Sequence, residues 1–290
     1  MPEAADWDDT YASDISKLSS CAINPEKFLK LYTDPLEVKP SQGESYDEVV
    51  AKTLYCSGKH IEFFDVPFRH PLVERVFQAF NDASIPDMSG DFEKMIASRK
   101  NGLRTAAKAQ KEREEYMFER LNEFVRRAAK KEFPDLKDKE HIRILMILGG
   151  AHTRLYHKLV RKKEDVSRSF PLYPYIYPYF VEAFRREWFE KEVGDELAAR
   201  TFLETVINGE IRLKLSSVTE RQNLIGHFIR RIVERLNMND ARSVFTRLKK
   251  AEYLTEDLLS IITGEILKEK AIIIPQNEEE LMRFLKIKSL

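Results

Sequence analysis

The residue types in this chain able to do hydrolytic chemistry fall in three places. His152 follows the apolar run Ile142–Leu148 and the glycine pair Gly149-Gly150. Glu62 and Asp65 lie in KHIEFFDVPFRHP, with His60 and His70 on either side. Arg113 and Glu114 lie in EREEYMFERL. Neutral imidazole and carboxylates converging on a divalent ion, with one position left open, would lower the pKa of a bound water. His152, Glu62 and Asp65 are the candidate ligands, with His70 a further one of the right type, and manganese, cobalt or zinc is the expected cofactor. His152 and Glu62 would serve as ligand or base. Arg113 would orient them or stabilise developing negative charge, since a guanidinium clamps a carboxylate or anion bidentately. No spacing rule joins these residues. The competing reading is that His152 hydrogen-bonds the backbone, while the acids cap helices or pair with arginines.

The elements that must position them are two expected strands and a helix. Ile142–Leu148 reads as a strand buried on both faces, which places His152 at its carboxyl end, where open α/β sheets bind ligands. Ile61, Phe63, Phe64 and Val66 are strand-type residues, stopped by Pro67. Glu62 and Asp65 then fall on opposite faces, so both reach one pocket only if Asp65 is already in the turn. Between the strands the spacing predicts a long helix from about Phe92 through Lys131, with a break near Asn101-Gly102. Met117, Phe118, Leu121, Phe124, Val125 and Ala128 form its apolar stripe, and Glu112, Arg113, Glu114, Glu115, Glu119 and Arg120 its outer face.

Residues 112–121 followed by ILMILGGAH, residues 144–152, resemble the TraB/TIKI superfamily of pheromone-shutdown proteins and metallopeptidases. In that family an Arg-Glu/Asp helix with a following Met leads into an apolar strand ending in Gly-x-x-His. Arg113, Glu114, Met117, Gly149 and His152 match the pattern, and Glu62 is the counterpart of the family's strand-borne acid. The resemblance covers residues about 59–163 and implies a metal-assisted hydrolase acting on a peptide or a small amide or ester. Members usually carry an earlier Gly-x-x-His or Gly-Glu-x-His strand, and nothing before residue 55 supplies one.

The remaining chain supplies context. Residues 1–20 are acidic and read as a flexible arm. Asn24-Pro25 is a cap and first turn for a short helix through Leu31. Residues 21–168 are expected to form the α/β domain, mostly parallel sheet covered by helices. Residues 169–180, SFPLYPYIYPYF, form a Pro/Tyr-rich connector, and residues 181–290 a mainly helical region. There Leu224, Ile225, Phe228, Ile229, Ile232, Val233 and Leu236 make the strongest stripe, and Ala271 to Ile274 reads as a short strand.

Lysine plus arginine and aspartate plus glutamate both total 48, so net charge gives no argument for nucleic acid or a membrane surface. Cys21 and Cys56 are too few and too far apart for a disulfide framework or a zinc knuckle, which favours a reducing, cytoplasmic setting. No apolar run reaches the length of a membrane span. The leading expectation is a TraB-like hydrolase with a small-molecule or peptide substrate, dimerising through its helical region. The alternative is a non-catalytic interaction or regulatory protein, with an α/β scaffold and a partner-binding helical region.

Overall fold

The computed structural model describes residues 9–32, 46–60, 64–66, 70–138, 141–146, 153–162, 165–167, 177–251 and 255–286. All regular structure among them is helical, and no strand is present. The expected α/β architecture is therefore corrected to an all-helical one. Residues 141–146 are irregular, and Ile142, Ile144 and Leu145 are exposed, Leu145 by 87 %. Residues 64–66 are also irregular, and Phe64 packs edge-on against Phe124, with ring centroids 5.6 Å apart. A short apolar run carries no period that separates a buried strand from other buried structure, and without a paired neighbour a strand leaves its backbone groups unsatisfied. The run Ala271 to Ile274, read as a further strand, is likewise a turn residue followed by irregular chain.

The chain divides into two compact units, each discontinuous in sequence. One comprises Met1–Glu74 and Glu112–Leu155, the other Arg75–Lys111 and Tyr156–Leu290. Helices α4 (Pro71–Ser84), α5 (Phe92–Ala129) and α6 (Thr153–Arg161) contribute residues to both.

The first unit contains α1 (Asp9–Ser19), α2 (Pro25–Tyr32) and α3 (Tyr46–Leu54). Residues 9–19, expected as part of a flexible arm, are helical because Tyr11, Ile15 and Leu18 recur at helical spacing and bury together with Phe28 and Ala51. The start of α2 follows the sequence reading: Asn24 Oδ1 accepts the Lys27 amide at 2.8 Å and Pro25 opens the helix. A disulfide joins Cys21, just past α1, to Cys56, just past α3. The pair lies 35 residues apart, so only the folding of α1 and α3 brings it together. Closing a loop of that length stabilises by about 4 kcal/mol in the loop-entropy account.

The second unit is organised around α8 (Asp195–Leu215), which touches α7 (Tyr179–Trp188), α9 (Gln222–Val233), α10 (Met238–Lys250) and α11 (Glu256–Glu269). Ala198, Phe202, Leu203, Val206, Ile207 and Ile211 cover most of its circumference and are all buried, as a helix apolar on several faces requires. The α9 stripe is buried from Leu224 to Val233, and α12 (Glu278–Leu285) packs on that helix. Helix α10 begins with a reciprocal capping box between Asn237 and Asp240. The expected break at Asn101-Gly102 does not occur. Instead, a Cβ at Gly102 would lie 3.0 Å from Ala83 Cα, so this glycine lets α4 and α5 approach closely.

Candidate functional site

The second half of α5 carries the first candidate site. Arg113, Glu114, Met117, Leu121, Phe124 and Ala128 follow helical spacing and are all buried. Arg113 is 5 % exposed and Glu114 0 %, so both belong to the inward stripe rather than to the outer face read from the sequence. Two such charges are buried only with partners. Arg113 Nε donates to Asp65 Oδ1 at 2.8 Å and Nη2 donates to Asp65 Oδ2, a bidentate pair. The Val66 amide also donates to Asp65 Oδ1, at 2.7 Å, which holds the carboxylate in the bend between Phe64 and Val66. Glu114 Oε1 accepts the Leu155 amide in the first turn of α6, at 3.4 Å. Arg154 of that turn lies 3.5 Å from Glu115.

The flanking histidines have local work. His70 Nδ1 accepts the Leu72 amide at 3.1 Å in the first turn of α4, and its ring lies 5.8 Å from that of Tyr116. His60 Nδ1 is 2.9 Å from Asp135 Oδ2, and its ring packs against Phe124 and Phe133. The structure thus brings Arg113 and Asp65 together, with Glu114 adjacent in sequence. Glu62, His152, Gly149 and Gly150 lie outside the described residues.

A divalent cation does not fit at Asp65 as placed. Its two oxygens already accept three hydrogen bonds, and the guanidinium charge opposes a second cation beside it. No group of three or more His, Cys, Asp or Glu side chains among the described residues is placed to hold a metal ion. What the arrangement does chemically is anchor an irregular segment to a helix through a buried ion pair.

A second buried polar centre, which the sequence reading missed, lies in the second unit. Glu204 on α8 accepts the Tyr179 and Phe180 amides at 3.0 and 2.9 Å, and so caps α7, which has no side-chain cap of its own. Burial pushes the Glu204 carboxyl up, against the pull of those amides and of Arg230 and Arg99. Arg99, 3 % exposed, donates to the Thr201 and Thr205 hydroxyls and the Thr201 carbonyl, and burial pulls its guanidinium down to about 10. Arg230 lies over the Tyr179 ring at 4.2 Å and donates to Glu182 at 2.7 Å and to the Tyr177 carbonyl at 2.5 Å. The end of the Pro/Tyr segment is thereby strapped down. Glu204 lies among the buried Phe202, Leu203, Val206 and Ile207, but α8 carries six other charged residues, so residue type alone gave no signal for it.

His227 sits in the α9 stripe, 7 % exposed, and its Nδ1 has no hydrogen-bond partner among the described residues. Burial pulls its imidazole down to about 4, with Arg231 and Arg230 acting the same way and Glu234 opposing. The unfolded chain takes up this proton near pH 6.5, the folded chain only near 4. Stability contributed by the neutral ring is therefore fully present above pH 6.5 and is lost as pH falls to 4, by about 2–3 kcal/mol. Urea unfolding of wild type and His227→Leu at pH 7 and pH 4 checks this. The variant should lose less stability between the two by that amount.

No family model, curated protein or solved structure matches the chain. Fold and site define an all-helical protein, over its described residues, in which Arg113 is ion-paired with Asp65 while Arg99 and Glu204 are hydrogen-bonded within the fold.

Proposed function

We propose that this chain is a non-catalytic interaction or regulatory protein, built on a helical scaffold in place of the α/β one. The observation that supports this reading is the bidentate Arg113–Asp65 pair, which commits a candidate catalytic group and a candidate metal ligand to each other. Glu114 and His70 support it further, since each accepts a backbone amide at a helix start. A group whose lone pairs hold the fold is a poor base or ligand, because chemistry there would leave a buried donor unpaired.

The test is elemental analysis of wild type and His152→Ala after incubation with manganese, cobalt or zinc and removal of free ion. The reading expects no stoichiometric metal in either protein. Near-stoichiometric metal in the wild type, lost in the variant, would overturn it in favour of the TraB-like metallohydrolase. The partner is proposed to engage the helical second unit. Sedimentation velocity over a concentration series separates a second copy, which gives a concentration-dependent shift, from a different protein, which gives none.

A further inference from the structure

We propose that the Cys21–Cys56 disulfide is a reversible redox latch that locks the three N-terminal helices in the oxidised protein and frees them to open on reduction. Both cysteines are exposed, so a thiolate can reach the bond without prior unfolding. Each follows the last turn of its helix in the left-handed region, with φ 64° at Cys21 and 50° at Cys56. Side-chain-bearing residues adopt that conformation at a cost, and reduction allows it to relax.

The ends of α1 and α3 are also held by a frame of hydrogen bonds independent of the sulfurs. The Cys21 and Cys56 amides both donate to the Leu18 carbonyl, at 3.2 and 3.1 Å, and the Gly58 amide donates to the Ser19 carbonyl at 3.0 Å. The Ser19 hydroxyl donates to the Lys59 carbonyl at 2.8 Å and lies 3.0 Å from the Ser57 hydroxyl. While the helices are closed this frame sets the two cysteines beside each other, so the bond re-forms within one chain when an oxidant returns. What lies beneath is small. The buried cluster is Tyr11, Ile15, Leu18, Phe28 and Ala51, and its helices have 11, 8 and 9 residues. Helices shorter than about 12 residues do not persist without tertiary support, so their order depends on the latch.

The reductant is a dithiol. One of its thiolates attacks the sulfur of one cysteine, the Cys21–Cys56 bond breaks, and the displaced thiolate takes a proton. The second thiol of the reductant then attacks the mixed disulfide and releases the other cysteine as a thiol. Two electrons and two protons pass to the protein, and the dithiol leaves as its own disulfide.

The test uses the full chain, with cysteine alkylation counted by mass and amide hydrogen exchange read by peptide. After treatment with glutathione disulfide, alkylation in denaturant should label no cysteine. Dithiothreitol without denaturant should expose two thiols and speed exchange in residues 9–32 and 46–58 by at least about tenfold, leaving α8 and α9 unchanged. Fresh glutathione disulfide should reverse both readings. Cys21→Ser with Cys56→Ser should behave as the reduced protein in either buffer. The proposal is overturned by free thiols that glutathione disulfide leaves unpaired, by a bond that dithiothreitol reduces only in denaturant, or by N-terminal exchange that is the same in both redox states.

Discussion

Asp65→Ala is expected to lower the free energy of unfolding by about 3–5 kcal/mol, because it strands the Arg113 guanidinium without its counter-charge. Arg113 is buried along the α5 stripe, and Asp65 accepts two of its hydrogen bonds. The loss is mainly the cost of an uncompensated buried cation, not the net worth of the pair. Replacing both partners together, Asp65→Leu with Arg113→Met, should therefore recover most of it. Urea denaturation of the two single variants and the double one measures the coupling. A cost below about 1 kcal/mol for Asp65→Ala would show that the pair does not organise this part of the fold.

Glu204→Ala is expected to cost a similar 3–5 kcal/mol, for a different combination of reasons. It leaves the Tyr179 and Phe180 amides without an acceptor at a buried helix start, and it removes the negative charge that favours Arg99 in its buried position. Glu204→Gln keeps one carbonyl oxygen for an amide and loses the charge, so about half of the cost should remain. Equal losses in the two variants would mean that the charge, not the capping, carries the effect. Thermal unfolding with hydrogen exchange on α7 reads both, since the freed helix start should open before the rest of the unit.

Legibility in the sequence followed the range of the signal. The stripe from Leu224 to Val233 is long enough to fix a helix and its buried face, and both agree with the structure. The Asn24-Pro25 start of α2 was equally plain, because a cap is a contact between residues three apart. The run Ile142–Leu148 had no period, and its described part is irregular, with Ile142, Ile144 and Leu145 exposed, where a central strand was expected. Arg113 and Glu114 were assigned outward by residue type, although position on the helix puts them four and three residues before the buried Met117. Had helical spacing outweighed charge, their burial and their need for partners would have been visible.

The sequence by itself determined where most helices form and which of their faces are apolar, because those properties are set by neighbours within one or two turns. It also supplied the residues of the candidate site, and it raised the pairing of acids with arginines as one reading among several. Only the tertiary structure decided that Asp65 meets Arg113, that Glu204 caps α7, and that Cys21 bonds Cys56 across 35 residues. Such pairings depend on how helices distant in sequence pack, and no local spacing encodes them.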